Sequence, residues 1–309
     1  MKFTGLLLSI LFLTQSFVHA AKNSSELKLV KVTKDIYAIV GSLGNRSKAN
    51  LGSNATFGVV VTNAGVVLID SGATYEGAQK IHQLIKTITN KPVKIVINSG
   101  GQDHRWLGND YFKQQGASII AHRQAVQDQK ERQQDQFFML GNLLGEKGIK
   151  RTNPVYADKI FDTDYKFELG GKKFSIIFAG QAHTPGDSYI WLPQQKVVFT
   201  GDIVYTERML AILGVSNSKS WLKAFESFAV LKPKYVVPGH GQPTNLTRAK
   251  KDTYQYLQYL RKTMTEYIDV GGGIENVGKI NQQKYRYLKN YDQLKGRNAQ
   301  QVFQELEFE

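Results

Sequence analysis

The chain has 309 residues, enough for one large domain or two small ones, and its 41% apolar content is typical of a globular protein with a hydrophobic core. It contains no cysteine, which excludes disulfides, thiolate metal ligands, a cysteine nucleophile and a lipoprotein anchor. The formal net charge is +14, but the lysines and arginines are scattered, which favours a solvated basic surface over a nucleic-acid-binding one.

The first part of the chain has the pattern of a secretory signal peptide. Lys2 supplies a positive start, residues 5–18 form an apolar stretch, and Val18-His19-Ala20 offers small side chains to a signal peptidase. This stretch is shorter than the roughly 20 residues that a membrane-spanning helix needs. We therefore predict a signal peptide at residues 1–20, cleavage near Ala20, a periplasmic or secreted protein, and no stable membrane anchor.

Apolar patterning predicts alternating strands and helices in the first half of the mature chain. Strands are predicted at 27–43 (as a pair), 56–62, 66–70, 93–98 and 118–121. Helices are predicted at 75–89, 107–115 and 124–144. The last of these helices is rich in glutamine and has an apolar end, so it is either an ordinary surface helix or a lid over a site.

The second half repeats this arrangement. Strands are predicted at 161–169, 173–178, 189–192, 196–200 and 235–237, and helices at 220–231 and 247–268. A helical tail follows the break at Gly271-Gly272-Gly273. Two blocks of strands, each with helices, predict two packed β-sheets with helices outside. We place the main domain at residues 21–270 and a helical extension packed on it at 271–309.

Three of the six histidines lie in glycine-rich turns just after predicted strands. These are His104 in GGQDHRWLGN, His183 in GQAHTPGD and His240 in PGHG, and Asp202 in FTGD occupies the same kind of place. Turns at strand ends converge on one rim of a sheet, and imidazole and carboxylate groups are good ligands for zinc and similar metals. The pattern therefore predicts a metal site, or the remnant of one.

Four motifs follow one another along the mature chain: Val67-Leu68-Ile69-Asp70-Ser71-Gly72, His183-Thr184-Pro185-Gly186, Phe199-Thr200-Gly201-Asp202 and Pro238-Gly239-His240-Gly241. In these motifs, their order and their separations, the chain resembles the metallo-β-lactamase superfamily. The resemblance implies an α+β fold, the four-layer αββα sandwich, with metals at the rim between the sheets. It also implies that His183 serves the first metal, that Asp202 bridges two metals and that His240 serves the second.

The first metal motif departs from the family pattern, which is His-x-His-x-Asp-His after a strand. Here the strand is followed by Gly100-Gly101-Gln102-Asp103-His104-Arg105. Aligned without gaps, the four ligand positions become Gly100, Gln102, His104 and Arg105. If the loop shifts by one residue, Asp103 and His104 take the place of the Asp-His pair and the first two histidines are lost.

Both alignments leave the first metal with His183 and at most Gln102. The second metal keeps His104, Asp202 and His240, with Asp103 available. We therefore predict one zinc ion rather than two, with manganese and iron as alternatives. Arg105 is expected to replace the charge of the missing cation, to hold an anionic substrate group, or to be an ordinary surface arginine, and Gln102 is also a candidate for substrate binding.

The predicted chemistry is metal-assisted hydrolysis, in which hydroxide attacks an ester, thioester, lactone or related bond. Asp103 or Asp202 would orient the water or act as general base. Zinc β-lactamases of this fold usually carry cysteine or serine at the place of Asp202, so the aspartate looks like the branches that cleave thioesters, lactones, and sulfate or phosphate esters. The expected partner is a small molecule, anionic if Arg105 holds it, and not a nucleic acid. The alternative is a non-catalytic periplasmic binding protein that kept the fold and lost hydrolysis.

Overall fold

The computed structural model describes residues 27–309, so the predicted signal peptide lies outside the described residues. Within this range the strands form two sheets. The first contains β1 (Lys28–Thr33), β2 (Ile36–Val40), β3 (Thr56–Thr62), β4 (Gly65–Ile69), β5 (Val93–Asn98), β6 (Ser118–His122) and β7 (Lys159–Phe161), in that order across the sheet. The second contains β8 (Tyr165–Leu169), β9 (Lys172–Phe178), β10 (Ser188–Leu192), β11 (Val197–Phe199) and β12 (Tyr235–Val237), in the order β12-β11-β10-β9-β8.

The helices fall into two groups that follow the two halves of the chain. The first group is α1 (Tyr75–Lys86), α2 (Asp103–Trp106), α3 (Asn109–Gln114), α4 (Arg123–Glu131), α5 (Gln133–Leu144) and α6 (Glu146–Ile149). The second group is α7 (Ser218–Ala229), α8 (Leu246–Ala249), α9 (Gln255–Asp269) and α10 (Tyr291–Glu307). None of the helices in residues 27–309 combines the length and the apolar character needed to cross a bilayer.

Three apolar clusters stack the elements into four layers. Alternate residues of the two sheets face each other, for example Val67 and Ile97 from the first sheet and Ile190 from the second. Because strand side chains alternate, the other face of each sheet needs its own cover. Helices α1 and α3 cover the first sheet, and α7, α9 and α10 cover the second, the last through Val302 and Phe303. The αββα sandwich expected from the resemblance is thereby confirmed.

Two elements that were predicted as continuous are each interrupted in the structure. Residues 161–169, predicted as one strand, are divided between the sheets, because the polar segment Asp162-Thr163-Asp164 carries the chain from β7 to β8. Residues 124–144, predicted as one helix, form α4 and α5. The break lies at Arg132, whose backbone (φ −98°, ψ 4°) leaves the helical region while its side chain is held by Asp128 and Gln102.

The direction of the strands explains where the candidate residues lie. Strands β4 and β5 are parallel, as are β11 and β12, and β9 shares the direction of β11 because both are antiparallel to β10. Their carboxyl ends therefore point to one rim of each sheet. The two rims are tied together by hydrogen bonds from Thr56 N to Gly239 O (2.7 Å) and from Ser188 N to Ser99 O (2.7 Å).

Candidate metal centre

Three buried side chains from three separate loops meet at this rim. His104 lies in α2 just after β5, Asp202 follows β11, and His240 follows β12. One ligand atom of each residue lies within 4.8 Å of the other two. His104 Nε2 is 3.2 Å from Asp202 Oδ2, and His240 Nε2 is 3.2 Å from Asp202 Oδ1. Three of the five sequence-predicted metal ligands are thus brought together.

The outer nitrogens of the two imidazoles are held by hydrogen-bond acceptors. His240 Nδ1 lies 3.1 Å from Asn54 O, and His104 Nδ1 lies 3.2 Å from Asp103 Oδ1. A carbonyl oxygen can only accept, so Nδ1 of His240 carries the proton and Nε2 carries a lone pair. His104 differs from His240, because both of its ring nitrogens face carboxylate oxygens, Asp103 Oδ1 and Asp202 Oδ2, each at 3.2 Å. This outer-partner arrangement is the one that metal-binding histidines commonly have.

The charge states make the centre attractive to a cation. Burial lowers the pKa of His240 well below its usual range, and nearby positive charge acts in the same direction, so the ring is neutral. Burial alone would raise the pKa of Asp202, but Arg105 and His104 hold it well below its usual range, so the carboxylate is ionised. The Nε2 lone pair of His240 therefore faces a carboxylate oxygen that also offers lone pairs. The buried His104 Nε2 has no hydrogen-bond partner.

Arg105 lies beneath this cluster with its side chain fully buried. Its Nε and Nη2 donate to Asp202 Oδ2 and Oδ1 at 3.0 and 2.7 Å. Its Nη1 donates to Asp70 Oδ2 at 2.9 Å and to Thr56 O at 3.3 Å, and Nη2 also donates to Gly239 O at 3.1 Å. All five N–H groups of the guanidinium are therefore used.

This geometry separates the predicted roles of Arg105. The residue supplies a fixed positive charge between Asp70 and Asp202, as expected of a substitute for a missing cation. It does not bind a substrate anion, because it is buried and has no N–H left to donate. The prediction that Arg105 is a substrate-binding residue is corrected on this point.

Asp70 is held in an unusual backbone conformation to receive Arg105. Its φ of 66° lies in the left-handed region, which side chains other than glycine rarely adopt. The carboxylate accepts from Ser99 N at 2.7 Å and from Ser99 Oγ at 2.9 Å in addition to Arg105. These contacts compensate for a backbone cost of about 1–3 kcal/mol, and strain of this kind is concentrated at functional sites.

Asp103 lies outside the cluster and orients His104. Its carboxylate forms a two-pronged ion pair with Arg46, at 3.0 and 2.7 Å, and also accepts from the backbone N of His104 at 2.7 Å. Burial opposes ionisation of Asp103, but Arg46 and His104 hold its pKa well below its usual range. The expectation that Asp103 is a direct ligand is therefore replaced by an orienting position next to one.

His183 also lies outside the three-residue cluster. Its Nδ1 is 2.9 Å from Ala211 O, which leaves Nε2 as a lone-pair nitrogen, and its ring contacts those of Tyr205 and Trp221. Burial lowers the pKa of His183 to about 4, so the ring is neutral at pH 7. The cluster therefore contains the three residues that the sequence assigned to the second metal, and His183, assigned to the first metal, is not part of it.

The space that a second ion's ligands would need is filled. A Cβ atom at Gly101 would overlap the carboxylate of Asp128, and one at Gly100 would overlap that of Asp187. Burial and the charge of Asp202 raise the pKa of Asp187 to about 8. No side chain larger than glycine fits at either position without movement of these acids.

Gln102 lies on the same loop and remains a predicted substrate-binding residue. It is half-buried, and its Oε1 accepts from Arg132 Nη1 at 3.2 Å. Arg132 is in turn paired with Asp128. Sequence reasoning missed Arg132, Arg46 and Asn54, because nothing in their local patterns distinguishes them from surface residues.

Comparisons with known proteins agree with this architecture. The family model of the Metallo-beta-lactamase superfamily matches residues 52–240. A metallo-beta-lactamase type 2 from Elizabethkingia meningoseptica is 25% identical over 223 residues, covering 71% of this chain and 80% of that protein. Metallo-beta-lactamase IND-1 from Chryseobacterium indologenes is 24% identical over 220 residues, covering 69% and 80%.

Solved structures show the same fold. A metallo-beta-lactamase from Pontibacter korlensis superposes with a TM-score of 0.62 at 24% identity, covering 75% of this chain and 99% of that one. The stereoselective inverting sec-alkylsulfatase Pisa1 from Pseudomonas sp. superposes with a TM-score of 0.70 at 16% identity, covering 90% of this chain and 50% of that one. At these identities the likeness shows the fold alone.

Proposed function

Because the chain belongs to the metallo-beta-lactamase superfamily, we propose that it is a hydrolase that binds one zinc ion through His104, Asp202 and His240. One observation carries this proposal. Two imidazole Nε2 atoms lie 3.2 Å from the two oxygens of one buried carboxylate, and the carbonyl partner of His240 Nδ1 leaves His240 Nε2 with a lone pair. A cation between these atoms turns unfavourable contacts into ligand bonds. Manganese and iron would suit the same atoms.

Asp202 can hold a cation and Arg105 together. A carboxylate has about four lone-pair positions, and Arg105 occupies two of them. Each oxygen therefore keeps one position for the ion. The fixed charge of Arg105 also offsets one of the two negative charges of Asp70 and Asp202, so a metal adds less excess charge than in an all-acid pocket.

The remaining residues have positioning roles in this proposal. Zinc with an open coordination position supplies a Lewis acid and a water molecule whose pKa is about 7. Asp103, fixed by Arg46, keeps His104 Nε2 directed at the centre. Of the two predicted general bases, Asp202 lies in the cluster and Asp103 does not. His183 presents a neutral nitrogen that can accept a hydrogen bond from substrate or water.

The substrate of this proposal is a small molecule with an ester, thioester, lactone or sulfate ester bond. Support comes from the carboxylate at Asp202, where zinc β-lactamases of this fold usually carry cysteine or serine, and from the structural likeness to a sec-alkylsulfatase. We further propose that the protein works in the periplasm or outside the cell, on the basis of the signal-peptide pattern at residues 1–20.

A second candidate function is a non-catalytic binding protein. The observation that favours it is the glycine loop, which lacks the first two histidines of the family motif and where a Cβ atom at Gly100 or Gly101 would overlap Asp187 or Asp128. Arg105 strengthens it, because the guanidinium already satisfies both oxygens of Asp202. This candidate predicts a closed cleft that needs no metal.

Metal analysis of the mature chain separates the two candidates. We expect about one zinc per chain after supplementation, lost in His104→Ala and in His240→Ala. His183→Ala is the matched control and should keep the ion, because its ligand atom lies outside the cluster. The measurement is elemental analysis of dialysed protein, followed by assays with ester, thioester, lactone, sulfate ester and β-lactam substrates.

Three results would contradict the proposal in different ways. Two tightly held ions per chain would contradict the inference that the loop at Gly100 and Gly101 leaves only one metal site. Loss of the ion in His183→Ala would contradict the three-residue site. Protein that holds no zinc, manganese or iron after supplementation would eliminate the metallo-hydrolase and leave the binding protein.

A further inference from the structure

Arg132 lies at the break between α4 and α5, and its guanidinium contacts the loop of residues 100–102. Its Nη1 donates to Gln102 Oε1 at 3.2 Å, and its Nε donates to Asp128 Oδ1 at 2.6 Å. Its Nη2 also pairs with the Asp128 carboxylate. In the gapless alignment, Gln102 takes the place of a ligand of the first metal. A cationic side chain therefore contacts a residue from which a metal ligand was expected.

The segment that carries Arg132 and the loop are joined at each loop residue. Besides the contact of Arg132, Gln129 Nε2 donates to Gly100 O at 3.2 Å, and Gln136 Nε2 donates to Gly101 O at 2.9 Å. Both glutamine side chains are buried. These bonds fix the guanidinium relative to the loop, so little freedom is lost when it meets a ligand.

The charge of Arg132 is permanent and reaches the other residue that was assigned to the first metal. Burial opposes protonation of Arg132, but Asp128 raises its pKa, and Asp103 acts in the same direction. Burial lowers the pKa of His183, and nearby positive charge that includes Arg132 adds to this effect. The guanidinium therefore acts on the side of the cleft where His183 and Gln102 lie.

Arg132 has hydrogen-bond donors to spare. Of the five N–H groups of a guanidinium, the described residues accept one each from Nε, Nη1 and Nη2 of Arg132. One N–H on Nη1 and one on Nη2 are left without an acceptor among residues 27–309. The Arg132 side chain is 20% exposed, whereas that of Arg105 is fully buried with all its donors used. Arg132 can therefore donate two hydrogen bonds to a molecule in solution.

We propose that Arg132 is a catalytic residue that donates to the substrate oxygen on which negative charge develops during hydrolysis. This is the carbonyl oxygen of an ester, thioester or lactone, or the matching oxygen of a sulfate ester. Fixed charged donors aimed at a developing oxyanion stabilise the transition state more than the ground state. The inference rests on the proposed function, because it assigns Arg132 to that reaction.

The negative charge arises and disappears on one oxygen. When hydroxide adds to the carbonyl carbon, a new C–O bond forms and the π electron pair moves to the carbonyl oxygen, next to Arg132. When the adduct collapses, that pair returns and the C–O or C–S bond to the leaving group breaks. The leaving group departs with the bond pair and takes the proton of the added hydroxyl, directly or through water. Arg132 stays protonated throughout.

The first test is calorimetric titration of the zinc-supplemented mature protein with phenylphosphonate, whose tetrahedral oxyanion resembles the adduct. We expect saturable binding by the wild type and binding about tenfold or more weaker in Arg132→Met. Arg132→Lys should keep part of the affinity, because the charge stays and the fork is lost. Arg123→Met, which breaks an exposed ion pair on the same helix, should bind as the wild type does. A wild type that does not bind, or an Arg132→Met that binds equally well, would overturn the inference.

A second pair of variants separates binding from folding. Arg132→Met leaves Asp128 buried without its partner, which is destabilising. The double variant Asp128→Asn/Arg132→Met removes both charges, so it should melt at a higher temperature than Arg132→Met while binding phenylphosphonate as weakly. Asp128→Asn alone keeps the guanidinium and should bind more tightly than the double variant. Equal binding by these two proteins would show that Arg132 is structural.

Turnover gives the readout that distinguishes catalysis from simple binding. With any hydrolysed substrate of the panel, Arg132→Met should lower kcat by about 10²-fold or more, with a smaller change in KM, because the charge that it stabilises is largest in the transition state. Arg132→Lys should lie between the two. A change in KM alone would contradict the catalytic role.

Failure of this inference can be told from failure of the proposed function. Zinc content is measured in the same samples, and Arg132→Met should keep its zinc because Arg132 is not in the cluster. A wild type that holds zinc, with phenylphosphonate binding and kcat unchanged in Arg132→Met, would overturn the role of Arg132 and leave the hydrolase standing. A wild type that holds no metal would overturn the hydrolase and the catalytic role with it. Phenylphosphonate binding that is lost in Arg132→Met would then still identify Arg132 as a ligand-binding residue.

Discussion

Arg105 is the residue on which the electrostatics of the rim depend. Its guanidinium joins Asp70, which follows the first sheet, to Asp202, which follows the second, and donates to the backbone at Thr56 and Gly239 as well. An arginine stays protonated at every pH at which the protein is folded. The two carboxylates therefore keep a counter-charge that neither pH nor a chelator can remove.

Replacing Arg105 tests this role. Arg105→Met should lower the free energy of unfolding by about 3–5 kcal/mol, because it leaves Asp70 and Asp202 buried without a cation. Arg105→Lys should cost less, since one charge remains but the fork is lost. Urea unfolding at pH 7 measures both. The control is Arg123→Met, which breaks the exposed ion pair with Asp162 and should cause no measurable change in the free energy of unfolding. Wild-type stability in Arg105→Met would refute the ion-pair role.

At the scale of single residues, the sequence predicted the site residues that lie in recognisable motifs. It missed the site residues that lie outside them. His104, Asp202 and His240 stand in glycine-rich turns after strands, so their meeting could be expected. For Arg105 the pattern left several roles open, and only the positions of its five N–H groups decide between them. Arg46 and Arg132 have no motif, and single basic residues among 40 cannot be singled out until their partners are known.

The loop between β5 and α2 differs from the family motif both in its side chains and in the space beside them. Gly100 and Gly101 have no side chain to bind a metal, which the sequence already indicated. The structure adds that Asp187 and Asp128 occupy the space where side chains would lie. A histidine introduced at either position would therefore have to displace one of these acids.

Substitution of Gly101 measures this packing. Gly101→Ala should destabilise the protein by about 1–3 kcal/mol, because the new methyl group overlaps Asp128. In an Asp128→Ala background the penalty should shrink, and a double-mutant cycle by urea unfolding gives the coupling. Gly296→Ala is the control, since a Cβ there meets nothing within 4 Å and α10 should gain about 0.5–1 kcal/mol. Equal penalties in both backgrounds would count against the steric explanation.

Element boundaries were predictable where the signal was local. Strand β5 was predicted at its observed bounds, because a short segment rich in valine and isoleucine between polar residues leaves little choice. The break at Arg132 was not predictable, because helical spacing runs across it unchanged. It is a tertiary effect: Asp128 and Gln102 hold the side chain, and the backbone follows.

At the scale of the whole molecule, the far end of the chain helps to shape the cleft. Asn298 in α10 is fully buried, and its Oδ1 accepts from Ile212 N at 2.9 Å. Its Nδ2 donates to Leu210 O at 2.9 Å and to Tyr256 Oη at 3.0 Å. These bonds fix both neighbours of Ala211, whose carbonyl oxygen orients His183.

Asn298→Ala should therefore affect both stability and the cleft. We expect a loss of about 1–3 kcal/mol, because Ile212 N and Leu210 O are left buried without partners. The tautomer of His183 should become mixed, which nitrogen chemical shifts of the imidazole report. Asn276→Ala removes an exposed amide and should change neither quantity. An unchanged His183 spectrum in a destabilised Asn298→Ala would limit α10 to a structural role.

The layer order of the whole fold was accessible from sequence, but the contribution of the tail was not. Four ordered motifs implied the αββα sandwich, and the structure has it. The contacts of α10 with loop residues 210–212 join positions more than 80 residues apart, as between Ile212 and Asn298. Periodicity describes one element at a time, so it gives no information on such long-range pairs.

The Arg105 guanidinium also has a consequence for the order of folding and ion binding. Sites built from acids alone repel themselves until an ion arrives, so assembly of the chain and acquisition of the ion become one event. Here a side chain of the protein itself neutralises the deepest part of the rim. Under the proposed function, the polypeptide can therefore reach its native state before the ion binds.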